Sequence, residues 1–338
     1  MAPAPASRVE TGAGTVRAAS SDEAAAVSAL LVDLRPRLID LLPGARQPDE
    51  LEVWIQDRPS LYAIPGKATS DAEGLWAESH SRILLARGAD HLERTLAHEL
   101  VHAHLGSDWN TLPGTLEEGL CDHISGCLAP DGAARLRAGR LSSAALLCGG
   151  IQLELVLRQP ESKEDWTARI ALSGSRGNEH PQREVFRLAA GLSSTRLEPA
   201  AKRGYYGMAY LLMSRLIERR GIEGLHALCV RAADEDFDHI PRPWLLDAAE
   251  LNDDRESWGR AAIEAIGDEE LVELIDMHPG FAVDALVDYL ESRPSELSPE
   301  ARLDNMEADL SLVDGNAKIR LAEHPRVRAA VLERLEKP

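Results

Sequence analysis

Two pairs of polar residues, each spaced four apart, fall within one short stretch of this chain. His98 and His102 belong to His98-Glu99-Leu100-Val101-His102; Glu118 and Asp122 belong to Thr115-Leu116-Glu117-Glu118-Gly119-Leu120-Cys121-Asp122. Residues four apart share a face only on a helix, so the pattern calls for two helices joined by a short connection. Local signals agree for the first. Asp90 with Glu93 reads as a capping box, Leu92, Leu96 and Leu100 form an apolar stripe offset from the histidines, and Gly106 offers a left-handed stop, so the spacing predicts a helix from about 91 to 105.

On such a helix both imidazoles project from one face, where two neutral rings can hold one Zn²⁺. Glu99, one residue along, can reach a metal-bound water and take its proton as the water attacks a carbonyl. A catalytic zinc needs a third protein ligand and one open position, and Glu118 is the candidate. Asp122, on the same face as Glu118, can accept the second N–H of a ligand histidine and fix its tautomer. Thr115 with Glu118 also reads as a capping box, which gives Glu118 a purely structural alternative. His104 and His123 fall off the face that their neighbours define.

HELVH, a short connection and then LEEGLCD resembles the gluzincin metallopeptidases, the thermolysin- and aminopeptidase-like clan. The likeness spans roughly residues 50–220 and is specific mainly in 97–122. It implies a peptidase with one Zn²⁺ per chain, in which His98, His102 and Glu118 are ligands, Glu99 is the general base and Asp122 orients a histidine. It also implies that Ser81-Arg82-Ile83-Leu84-Leu85-Ala86-Arg87-Gly88 runs alongside an extended peptide substrate. Tyr206, in a stretch similar to the YxxxYLL segment of such domains, would hydrogen-bond the tetrahedral oxyanion; Tyr206, Tyr210, Met213 and Ile217 also read as an ordinary buried stripe. The 15 residues between His102 and Glu118 make a shorter connection than in the well-known members. Pro113-Gly114 can supply the tight turn this requires.

The rest of the chain sets the frame. Residues 1–20 are rich in Ala, Pro, Ser and Gly without period and read as a disordered tail. Ser21-Asp22 opens an amphipathic helix to about Leu42, ended by Pro43-Gly44. Residues 51–57, 61–64 and 81–88 read as short strands, and helical signals dominate from Asp90, with connections near 107–114, 158–182 and 192–204. The expected fold is α+β: a short N-terminal mixed sheet with a zinc-binding helix pair, followed by a mainly helical C-terminal part. Residues 21–267 would form the peptidase domain. Residues 268–338 hold 17 acidic against 8 basic residues, and read as a separate acidic helical segment. Within it Ile275-Asp276-Met277-His278-Pro279 is echoed by Leu321-Ala322-Glu323-His324-Pro325, as stacked helical repeats or as one irregular helical cap, the histidines starting helices.

Composition limits the partners. With 37 basic and 56 acidic residues the net charge is −19, which repels phosphate backbones, so no nucleic-acid role is expected. No run of 18 apolar residues exists to span a membrane, and the N-terminus has no secretory h-region. Cys121, Cys127, Cys148 and Cys229 form no CxxC pair, which fits a reducing compartment and a cytoplasmic location. A metzincin-like site, with Asp108 as third ligand, is the nearest chemical rival, but it needs glycine where Leu105 stands. The rival of another class is a non-catalytic scaffold that recruits a protein partner through residues 268–338.

Overall fold

The structure is a computed structural model, and it describes residues 5–57, 73–159, 165–172, 186–187, 190, 199–315, 317–321 and 324–336. The fold is α+β, with a mixed N-terminal sheet and a mainly helical C-terminal part. The chain opens with strands β1 (Ser7–Thr11) and β2 (Gly14–Ala18), then helix α1 (Ser21–Leu41) and strand β3 (Glu52–Gln56). Strands β4 (Gly74–Ala77) and β5 (Arg82–Ala86) precede helices α2 (Leu92–His104) and α3 (Gly114–Leu128). Helix α4 (Ala133–Cys148) leads to strands β6 (Ile151–Arg158) and β7 (Trp166–Leu172). Helices α5 (Pro199–Asp234), α6 (Arg242–Ala249), α7 (Arg255–Glu264), α8 (Asp268–Met277), α9 (Gly280–Ser292) and α10 (Pro299–Asp304) follow. Strands β8 (Glu307–Leu312) and β9 (Lys318–Arg320) and helix α11 (Pro325–Glu336) close the chain.

The chain divides into two units, Met1–Ala133 with Leu212–Glu250, and Ala134–Leu211 with Leu251–Pro338. The first holds a five-stranded sheet in the order β1-β2-β3-β5-β4. Strands β2, β3 and β5 run parallel, and β1 and β4 close the two edges antiparallel. Helix α1 starts on Ser20, whose hydroxyl accepts the Glu23 amide at 3.2 Å. It buries Ala24, Val27, Leu31, Leu34 and Leu38. Helix α2 packs on β4 and β5 and against α1 and α3. Leu96 and Leu100 of α2 and Leu116 and Leu120 of α3 are fully excluded from solvent. Each such burial contributes roughly 1.5–3 kcal/mol, so apolar packing rather than any polar contact sets how the two helices face each other.

Several expectations are corrected here. Residues 7–18 are not a disordered tail but a β-hairpin: Val9 opposes Val16, and β2 adds to β3 with Val16 and Ala18 buried. Helix α2 has His91, not Asp90, at its N-cap and no side-chain cap there. Gly106 is extended (φ −83) rather than left-handed. It is required for another reason, since a Cβ there would run into the Gly44 carbonyl oxygen. That close approach brings Arg46 onto the end of α2, where its amide donates to the His104 carbonyl at 2.9 Å and its guanidinium to the Ala103 carbonyl at 3.0 Å. Two of the carbonyls that a helix C-terminus leaves unpaired are thereby satisfied from outside the helix.

The expected strand at 61–64 lies outside the described residues. Strand β5 is interior, flanked by β3 and β4, so among the described strands the edge of the sheet beside α2 is β4.

The second unit contains a sheet that helical signals had hidden, in the order β7-β6-β8-β9. Ile151, Leu153, Leu155 and Leu157 of β6 alternate into its core. Strand β8 pairs antiparallel with β6, Leu155 opposite Leu310, so residues 268–338 are built into this unit and do not form a separate segment. The His-Pro echo is not a helical repeat, because β8 and β9 interrupt it. Its two copies meet instead, with His324 Nε2 3.2 Å from Asp276. Pro325 does open a helix, and His278-Pro279 immediately precedes another.

Candidate metal centre

The facing sides of α2 and α3 gather His98, Glu99, His102, Glu117, Glu118, Cys121 and Asp122. The two imidazoles stand with ring centroids 5.2 Å apart, as a four-residue helical spacing dictates. Their Nε2 atoms both face the Glu118 carboxylate: His98 Nε2 is 3.4 Å from Oε2, and His102 Nε2 is 3.9 Å from Oε1. Their Nδ1 atoms face the opposite way, each to its own carboxylate. His98 Nδ1 is 3.1 Å from Asp122, and His102 Nδ1–H donates to Glu117 at 2.6 Å. The capping role open to Glu118 is not the one taken, because α3 begins at Gly114 with Pro113 at its N-cap and no side-chain cap.

Among the described residues, His98, His102 and Cys121 form a group whose potential ligand atoms all lie within 4.8 Å of one another. These three could hold a metal ion, and the Glu118 carboxylate faces the same two imidazoles. Glu118 and Cys121 differ in setting. The Glu118 side chain is 34% exposed, whereas Cys121 is wholly buried, so the carboxylate lies on the open side of the cluster and the thiol on the inner side.

The electrostatics suit a cation. Burial alone would lower the His98 pKa, but hydrogen bonds to Asp122 and Glu118, with the charges of Asp122 and Glu99, lift it to about 10. Burial works in the same direction on His102, but the hydrogen bond to Glu117, together with the charges of Glu118 and Glu99, leaves that pKa raised. Burial raises Glu118, and its contacts with the two imidazoles reverse this and hold it below the usual carboxylate range. Burial pushes the Cys121 thiol well up, and Glu118, Glu117, Glu99 and Asp122 add to it. Four carboxylates, of which Glu99 and Asp122 are buried, are matched by only two imidazoles. A divalent ion at the Nε2 atoms would offset that excess, and neutral rings with their Nδ1–H bonds accepted by carboxylates are the form in which histidine ligates. The donor set fits zinc.

Glu99 is buried in the middle of α2, against β4. Burial raises its pKa, the two imidazoles oppose the rise, and the Trp76 backbone hydrogen-bonds to it. Gly74 makes room for this arrangement, since a Cβ there would lie 2.7 Å from Glu99 Oε1 and 2.8 Å from its Cγ. Neither β4 residue was predicted; four residues, Gly-Leu-Trp-Ala, carry too short a pattern to announce a strand. Glu117 and Cys121 were also missed, although Cys121 stands three residues from Glu118 and helical spacing alone would have placed it beside the same face.

Asp108 lies in the single turn Ser107–Trp109 and faces His226, with Oδ2 3.6 Å from its Nε2. His104 is fully buried and differently engaged: its Nδ1–H donates to the Leu100 carbonyl at 2.8 Å, and its Nε2 accepts from Arg35 at 3.0 Å. Tyr206 belongs to the second unit, where Arg140 stands 5.1 Å and Lys202 5.6 Å from its ring centroid. Tyr210 and Met213, from the same stretch, are buried. No family model, curated protein or solved structure matches this chain.

Proposed function

We propose that the chain is a zinc-dependent metallopeptidase of gluzincin type, with His98, His102 and Glu118 as metal ligands and Glu99 as general base. The observation that carries this reading is the convergence of both Nε2 atoms on the Glu118 carboxylate, while Asp122 and Glu117 hold the Nδ1 atoms. Zinc bound there would supply Lewis acidity toward a substrate carbonyl and lower the pKa of water.

The chain's own groups do the rest. Glu99, whose pKa burial has raised, accepts the proton of the attacking water and passes it to the departing amine nitrogen. Asp122 and Glu117 fix both tautomers. Strand β4, at the edge of the sheet among the described strands, offers its main chain to an extended peptide, the part expected of β5. The oxyanion-binding role expected of Tyr206 remains part of the proposal. No disulfide joins the four cysteines, and among the described residues no helix is long and apolar enough to cross a membrane; a cytoplasmic setting is part of the proposal.

The test combines metal content with cleavage of a mixed peptide library. Purified protein should hold about one Zn²⁺ per chain. Glu118→Ala and His102→Ala should release it, while Asp108→Ala and His104→Ala should not. Glu99→Gln should keep zinc and lose roughly 10²–10⁴-fold in hydrolysis. Zinc retained in Glu118→Ala but lost in Asp108→Ala would favour the metzincin-like arrangement. Metal-loaded protein without peptidase activity on any peptide would favour a scaffold that recruits a partner.

A further inference from the structure

We propose that α3 offers the histidine pair two alternative third ligands, Glu118 for zinc and Cys121 for a thiophilic ion such as Cd²⁺, so that the ion's softness selects the coordination. The inference rests on the metal-site reading above and deepens it. Its ground is a juxtaposition that a peptidase site does not require: His98, His102 and Cys121 have ligand atoms within 4.8 Å of one another, one helical turn from the carboxylate that faces the same imidazoles.

Donor atoms sharing one tetrahedral ion stand about 3.3–3.7 Å apart, so the group needs side-chain rotations of about an ångström rather than a helix shift. Thiolate prefers soft ions, and carboxylate prefers hard ones. The two donors also approach from different sides. Cys121 is wholly buried and Glu118 is one-third exposed, so Glu118 can withdraw to water when Cys121 ligates. In the exchange the Cys121 S–H bond breaks, its proton goes to solvent water and the metal–sulfur bond forms; nothing is oxidised or reduced.

The full chain, stripped of metal with a chelator, is titrated with Cd²⁺ and separately with Zn²⁺. Cadmium should raise a thiolate-to-metal charge-transfer band that saturates at about one ion per chain. The band should persist in Glu118→Gln and in Cys127→Ser, and vanish in Cys121→Ser. Zinc affinity should fall by orders of magnitude in Glu118→Gln and by no more than about threefold in Cys121→Ser. Cadmium NMR of the wild-type chain, which separates sulfur from nitrogen and oxygen ligation, gives the same answer if Cys121→Ser fails to fold. Cadmium bound without a band, or a band that survives in Cys121→Ser, overturns this inference and leaves the zinc site standing. Neither ion binding overturns both.

Discussion

His104 stands two residues beyond a proposed ligand on the same helix, yet its chemistry is opposite. His98 and His102 are ringed by carboxylates; His104 is ringed by cations and apolar groups. Burial, with Arg35 and Arg46 nearby, pushes its pKa down to about 4. Between about 6.5 and 4 the unfolded chain binds a proton that the native chain refuses, so the stability held above pH 6.5 declines as the pH falls through that window. The shift is worth at most about 3 kcal/mol. His104→Gln can still accept from Arg35 and cannot titrate, so metal-free His104→Gln should show a flatter decline in urea midpoint over that range than metal-free wild type. Parallel declines would mean that His104 is protonated in the native state. Spacing alone made His104 a non-ligand, but its actual task depends on Arg35, 69 residues away, which no local pattern reveals. Asp122 was legible because it shares a helix face with Glu118. Glu117 was not, since its reach to His102 depends on how α3 crosses α2.

Among the elements, legibility followed length and period. The helix of the histidine pair, α1, β3 and β5 announced themselves by apolar periodicity. The hairpin β1–β2 was lost in a composition rich in Ala and Gly, and β6 was read through as part of a helical region although its alternation is plain. The cost of missing β4 is greatest, because this strand packs on Glu99, the proposed base. Gly74 contacts Glu99 closely enough that Gly74→Ala must displace the side chain: the added Cβ would also come within 2.8 Å of Thr95 Cγ2, which blocks relief on that side. Gly74→Ala should therefore retain zinc and lose about 10²-fold in kcat, the scale expected for a catalytic group moved by about an ångström. Unchanged kcat with full zinc would show that Glu99 has slack, and loss of zinc would show that the strand supports the ligands as well.

At the scale of the whole molecule, the acidity of residues 268–338 is real, but it marks complementarity within a unit rather than a boundary. Glu270 pairs with Arg137 at 2.5 Å, Glu273 with Arg135 at 3.3 Å and Asp309 with Arg158 at 2.8 Å, all joining the acidic stretch to arginines of 135–158. These pairs are partly exposed and individually worth at most about 1 kcal/mol, so the sheet must hold the unit together. Strand β8 supplies the only partner described on one side of β6, and it buries Ala308, Leu310 and Leu312. Ending the chain after Gly267 removes β8, β9 and the helices that cover them. It bares the edge of β6, a strand whose Leu153, Leu155 and Leu157 are fully buried in the intact chain. An apolar strand edge opened in this way is a template for aggregation. The shortened chain should be insoluble, or should bind a hydrophobic dye and be cut by protease within β6 (Ile151–Arg158), where the intact chain should resist. A soluble, protease-resistant chain ending at Gly267 would restore the boundary that composition alone suggested.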